Sequence, residues 1–162
     1  MEKETFDFLK YFNEPKEFLE KKPLSFPVQN DEVALLGKGK QTKSAYVINI
    51  NRKRCTFKRI TYQNRLDKTA IILARLDIDT KPHRNPDGKK IGGTHLHLYQ
   101  KDFGDKWAFA LDDVEAIQKI LPTYHPIQLK DGEFIDNFQT FAVFCGFTNF
   151  PCFQQVLEMP LS

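Results

Sequence analysis

Residues 69–79 read TAIILARLDID. The stretch is too short for a typical helix and rich in isoleucine and leucine, the mark of a strand buried in a sheet. Its second half alternates, so Arg75, Asp77 and Asp79 share one face. We expect this strand to be central and its neighbours to follow the same parity.

Working outward, THLHLYQ (94–100) and KWAFAL (106–111) read as two strands joined by the short Gly-containing turn KDFGD, a hairpin. On the other side stand EVALL (32–36), AYVININ (45–51) and CTFKRITY (55–62), with NRKR as a hairpin tip between the last two. Helical spacing appears at both ends. Phe6, Leu9 and Phe12 recur helically within residues 4–21, and Pro15 is placed to open a second short helix. DDVEAIQKIL (112–121) begins with aspartate caps and stops before Pro122. Phe134, Phe138, Phe141 and Cys145 form one helical stripe, and PCFQQVLEM reads as a last short helix. Strands in one run with helices before and after them predict an α+β fold. The expected form is a single domain with a mainly antiparallel sheet of about five or six strands. Helices from the N- and C-terminal regions pack on one face. Residues 1–30 are expected to be a helical segment and linker, and 31–162 the core domain.

A chain of 162 residues, 41% of them hydrophobic, is long enough to bury a sizeable core. No apolar run approaches the roughly 18–20 residues of a membrane span, and the first residues, MEKETFDFLKYF, lack the pattern of a secretory signal. Three cysteines, an odd number, argue against a disulfide framework. The expectation is a cytoplasmic protein with no membrane partner. Net charge is only +3, yet residues 38–68 hold ten Lys/Arg against one acid, Asp67. Such asymmetry suggests an anionic partner, RNA or another polyanion. Within it INRKRCTFKRITYQNR interleaves aromatics with cations, the inventory of a single-stranded nucleic-acid surface. The anion-binding candidates are Arg52, Lys53, Arg54, Lys58, Arg59 and Arg65.

The chemistry-bearing candidates lie around GGTHLHLY (92–99), which carries two of the four histidines. Strand parity puts His95, His97 and Tyr99 on one face, with Leu96 and Leu98 on the other. Upstream, the fourteen residues from Thr80 to Gly93 are long for a hairpin connection; they carry His83, Arg84 and the type I turn signal NPDG. Three readings compete for this group. A His-x-His strand pair opens a metal site in several β proteins, but no downstream histidine strand completes it here, since His125 sits beside Pro126 after a helix. Metal-independent RNA cleavage needs a base, an acid and a cation, and His95, His97, Tyr99, His83, Arg84 and Arg75 supply those types. The third reading is a polar network that fixes the long loop to the sheet. We carry the second forward, with no metal and no cofactor.

HLHLY resembles the alternating triad of the histidine-triad hydrolases, but Tyr99 stands where the third histidine belongs. No phosphate loop, GxGxxG, CxxC, HExxH or GxSxG motif is present. The blocks ITYQNR, ILARLDID, PHRNPDG, IGGTHLHLYQ, GDKWAFAL and FAVFCGFTNFP resemble a family of small uncharacterised proteins of Gram-positive bacteria, their phages and other mobile elements. The resemblance covers roughly residues 45–150 and leaves out the first 40. Members of that family often have proline in the segment WAFAL, where this chain has Ala110. The resemblance implies no activity, only a setting among toxins, antitoxins and inhibitors of host defence. The function expected is an RNA-directed accessory protein, as a metal-independent endoribonuclease. The alternative is a non-catalytic binding module, such as a phage- or mobile-element-encoded inhibitor or regulator of a host defence protein.

Overall fold

A computed structural model describes residues 5–53 and 58–154. Seven strands form one sheet: β1 (Lys16–Phe18), β3 (Glu32–Gly39), β4 (Ala45–Asn51), β5 (Ile60–Leu66), β6 (Ile72–Ile78), β9 (His95–Leu98) and β10 (Ala108–Phe109). They lie in that order and each pairs antiparallel with the next. Two small pairs stand outside it: β7 (His83–Arg84) with β8 (Lys90–Ile91), and β2 (Leu24–Ser25) in parallel with β11 (Phe153–Gln154). The helices are short: α1 (Phe8–Asn13), α2 (Val114–Gln118) and α3 (Phe134–Phe144).

The alternation expected of the strands is present. Ile50, Tyr62, Leu76 and Leu96 lie opposite one another across four strands, as do Ile48, Asn64, Ala74 and Leu98. All eight are fully buried. Phe12 of α1, Ile117 of α2, and Phe138, Phe141 and Cys145 at α3 join the same core. Tyr62 stacks on Phe141, and its hydroxyl donates to the carbonyl of Phe134 at 2.7 Å. The phenylalanine stripe thus meets the sheet through aromatic faces, which adds to the burial of area alone.

Three expectations need correction. The sheet has seven strands, not five or six, and the extra one comes from the stretch read as a second helix after Pro15. The hydrophobic spacing of Phe18 and Leu19 serves an edge strand there, because Phe18 is buried while Leu19 is exposed. Helices do not mark both ends: the segment PCFQQVLEM begins with strand β11 at Phe153–Gln154, and its residues 155–159 lie outside the described residues. The strand TAIILARLDID is fifth of seven; the middle place belongs to β5.

What turns the chain into β1 is a pair of buried charges. Lys16 is fully buried, and its Nζ donates to the carbonyls of Phe12 at 2.8 Å, Glu14 at 3.1 Å and Cys145 at 2.7 Å. One ammonium thereby closes the C-terminal turns of α1 and α3 together. Burial lowers Lys16 to about 8, with Cys145 and Glu14 acting in the opposite sense. The Glu14 carboxylate accepts from the Gln41 and Thr42 amides, the Thr42 hydroxyl and the Tyr46 hydroxyl. Gly39 is required beneath it: a Cβ there would lie 2.4 Å from the carboxylate. Burial by itself would raise Glu14, but the hydrogen bonds from Thr42, Tyr46 and Gln41 outweigh it and hold the carboxyl below its ordinary 4.5.

A depressed carboxyl stabilises the fold above its unfolded value, and that stability is lost as pH falls through the folded one. Glu14→Gln is therefore expected to cost about 2 kcal/mol at pH 7, as for a charged hydrogen-bond acceptor. In urea unfolding, the difference from wild type should shrink steadily below pH 4.5. A constant difference down to acid pH would place the stabilisation elsewhere.

Candidate functional site

The face of the sheet away from the helices carries two polar rows set by strand register. Asn51, Thr61, Asp77 and His95 lie opposite one another on β4, β5, β6 and β9. Beside them run Asn49, Gln63, Arg75 and His97, with Ala108 at the edge. These are the odd-parity positions of strands whose other face is leucine, isoleucine and tyrosine. The sequence that buries the core on one side therefore concentrates polar groups on the other.

At the centre lies Asp77. Its Oδ1 accepts from Thr61 Oγ1 at 3.1 Å and Arg75 Nε at 3.1 Å, and its Oδ2 lies 3.0 Å from His95 Nε2. Arg75 also donates through Nη1 to Asp105 at 3.2 Å. Burial would raise Asp77, but the hydrogen bond from His95, the neighbouring His97 and the Arg75 guanidinium hold its carboxyl well below the usual carboxylate range. His95 and His97 are almost fully buried. Each faces a backbone carbonyl with Nδ1: His95 meets Gly92 at 2.5 Å and His97 meets Asp105 at 2.8 Å. A carbonyl only accepts, so both Nδ1 atoms carry the hydrogen. His97 Nε2 stands 2.9 Å from Arg75 Nη2, a donor, and 3.4 Å from the Asp77 carboxylate. The closer partner requires a lone pair on Nε2, so His97 is neutral with its hydrogen on Nδ1. Burial lowers its proton affinity, only partly offset by Asp77.

The Thr80–Gly93 loop folds over this face. Thr80 donates its amide to the Gly93 carbonyl at 2.9 Å, closing the base, and a Cβ at Gly93 would meet Thr80 O at 2.5 Å. NPDG forms its turn, with Gly88 N donating to Asn85 O at 2.8 Å and φ of 88° at Gly88. Asn85 is buried and pairs its amide with the backbone of Ala108, giving at 2.9 Å and receiving at 2.8 Å. It extends the sheet past β10 with a side chain. This anchoring sets the His83 ring 4.6 Å from His97 and 5.9 Å from His95, with its Nε2 donating to Lys106 O at 2.6 Å.

Between loop and sheet opens a cleft of about 510 Å³. Its lining includes Asn51, Arg59, Gln63, Arg75, Lys81 and His83, with Thr61, Asp77 and His95 on its floor. Three cations face one carboxylate, and that carboxylate is already matched by Arg75 and His95.

The structure brings together His95, His97, His83 and Arg75 from the chemistry-bearing set. It adds Asp77, Asp105 and Lys81, which the sequence reading did not select. Asp77 was on the predicted face of RLDID; Asp105 was not legible, because it reaches Arg75 from a turn. Two members lie apart. Tyr99 falls past the end of β9 and packs on Phe6 and Phe8. Arg84 is exposed and turns back to the Gly88 carbonyl at 3.1 Å. The basic set is also divided. Arg59 lines the cleft, and Arg65 lies on the same face with Nε 3.3 Å from Asn49. Arg52 is buried toward the helices, donating to Pro27 O at 2.9 Å with its guanidinium over the Phe134 ring. Lys53 pairs with Glu32 and Lys58 with Asp131. Arg54 lies outside the described residues.

Removing the carboxylate at the centre should be costly, because it leaves buried donors unmatched. We expect Asp77→Ala to lose about 3 kcal/mol in chemical denaturation, and Arg65→Ala, at the rim of the same face, about 0.5 kcal/mol or less. Equal losses would show that the cluster holds no special place in the fold.

No curated protein matches the chain, and no solved structure does. Among the described residues, no helix is long and apolar enough to cross a membrane. A family model of unknown function, DUF6978, matches residues 3–147 and so takes in the N-terminal stretch that the sequence resemblance left out. With most of its length matched in this way, the chain belongs to the DUF6978 family of unknown function.

Proposed function

We propose that this is an RNA-directed accessory protein of mobile-element type, whose polar sheet face receives the phosphate backbone of a single strand. The observation that carries the reading is the cleft lining: Arg59, Arg75 and Lys81 surround one already matched carboxylate, Asp77, beside the neutral donors Asn51 and Gln63. Such a lining favours a phosphate oxygen through charge and offers hydrogen-bond donors at the same time. Of the candidates in the basic stretch it uses Arg59, joined by Arg75 and Lys81 from outside that stretch, while Arg52 faces the core and Lys53 and Lys58 have acidic partners.

The endoribonuclease form of this reading needs groups free to move protons. His95 and His97 use both ring nitrogens within the protein. His83 is the partly exposed imidazole of the group, so a metal-independent cleavage would run through it, with Arg75 and Lys81 meeting the charge on the phosphorane. The binding function stands without that step, and it is the one the geometry supports best. A non-catalytic inhibitor or regulator of a host defence protein is the second reading. The same cations would meet the carboxylates of a partner that imitates a nucleic acid.

Fluorescence anisotropy with a single-stranded RNA should show binding that weakens steeply with salt. The double variant Arg59→Ala/Lys81→Ala should weaken it by about tenfold or more, as for loss of charge-assisted phosphate contacts. Lys58→Ala, paired with Asp131, should leave it unchanged. Binding that ignores salt, or that is lost equally in Lys58→Ala and in the Arg59→Ala/Lys81→Ala double variant, would remove the proposal. Labelled RNA held with the protein in excess chelator should remain intact. Products ending in a cyclic phosphate, lost in His83→Ala, would instead establish the endoribonuclease form.

A further inference from the structure

The protein carries, beneath the cleft, a set of side chains arranged as metal ligands. His95 Nε2 and His97 Nε2 converge on Asp77 Oδ2 at 3.0 and 3.4 Å, and the three ligand atoms lie within 4.8 Å of one another. Around a first-row divalent ion, bonds of about 2.0–2.2 Å at tetrahedral angles put ligand atoms roughly 3.2–3.6 Å apart. The two nitrogen–oxygen distances lie close to that range, and the set as a whole, within 4.8 Å, must draw together around the ion.

The orientation of the rings is the second and independent observation. A histidine that binds a metal through Nε2 commonly donates Nδ1–H to a carbonyl or carboxylate, which fixes both tautomer and ring direction. Both histidines do this, His95 to Gly92 O and His97 to Asp105 O. The carbonyl partners come from the end of the long loop and from the turn after β9, so the outer support is part of the fold. His97 Nε2 already presents a lone pair, since it accepts from Arg75 Nη2 at 2.9 Å. At His95 the Nε2 faces an ionised oxygen, a place where either a shared proton or a cation must sit. His97 is already in the ligand tautomer, and at His95 the ion would take the place of the Nε2 proton that meets the same carboxylate oxygen.

We propose that Asp77, His95 and His97 form a binding site for a first-row divalent transition ion, with two imidazoles and one carboxylate as protein ligands. Three ligands leave at least one position open. Asp77 and His95 line the cleft, so the open position faces the space where a water or an anionic ligand enters. Arg75 is the competitor of the ion: its Nη2 contacts the same nitrogen that the metal takes, and it must turn toward Asp105, its other carboxylate partner. Arg75 thus sets the affinity without being a ligand. His83 remains outside the ligand set, with its Nε2 held by Lys106 O. The inference does not depend on RNA binding, because it rests on the ligand geometry alone.

The test uses the full chain, freed of metal by a chelator and titrated with Co²⁺ and with Zn²⁺. One equivalent of Co²⁺ should produce visible d–d absorption, and one equivalent of Zn²⁺ should bleach it. Asp77→Asn and His95→Gln should weaken Co²⁺ binding by about 100-fold or more, beyond the usual cost of outer-shell changes. His83→Gln should leave affinity unchanged, and Arg75→Gln should raise it. Should the ligand variants fail to fold, wild type labelled with ¹⁵N-histidine still decides. Co²⁺ should shift exchangeable Nδ1–H signals from two buried imidazoles paramagnetically. Absence of d–d bands at one equivalent, equal affinity in folded Asp77→Asn, or paramagnetic shifts confined to the partly or fully exposed His83 and His125 would overturn the proposal.

Discussion

The hydrogen bond between Asp77 and His95 is the constraint on which the site depends. An ionised carboxylate on a sheet face must keep water or find donors. Here it finds Thr61, Arg75 and His95 on three adjacent strands. Those partners exist only in this strand register, so the cluster and the pairing of β5, β6 and β9 specify one another. A slip by one residue would turn Asp77 toward the phenylalanines of α3 and Leu76 toward the cleft. The buried polar row therefore selects register as well as holding the loop.

A second buried pair organises the opposite end of the molecule. Lys16 and Glu14 sit where the chain leaves α1 and enters the edge strand, and they bond backbone from three separate segments. Both buried sites use charge to collect main-chain groups that regular structure leaves over. They differ in access. Lys16 and Glu14 are sealed under aromatic rings, whereas Asp77 and Arg75 border an open cleft. That difference is why one is read as architecture and the other as a place where a ligand arrives.

Much of this was legible in the sequence, for a physical reason. Strand alternation depends on residue parity alone, so His95 and His97 on one face, and Arg75 with Asp77 on another, followed from THLHLY and RLDID. Parity does not say that the two strands are neighbours; the pairing of β6 with β9 supplies that. Parity failed where the strand ended: Tyr99 lies one residue beyond β9 and turns to the aromatics of α1. Helical spacing failed after Pro15, because an edge strand of three residues carries too little pattern to compete with it. The basic stretch misled through counting. Charge in sequence does not say which face a side chain takes, and Arg52 went inward over Phe134 while Arg59 went to the cleft. Asp105 and the Asn85 bridge had no local signature, since each acts through a partner more than twenty residues away.

The two buried histidines are fixed by carbonyls on Nδ1, and their Nε2 atoms are aimed at Asp77. Long-range ¹H–¹⁵N correlation on metal-free protein labelled at histidine nitrogen tests this directly at neutral pH. A slowly exchanging Nδ1–H is expected on both His95 and His97, with an Nε2 without hydrogen on His97. A His97 ring carrying its hydrogen on Nε2, or histidine signals averaging as free imidazoles do, would contradict it.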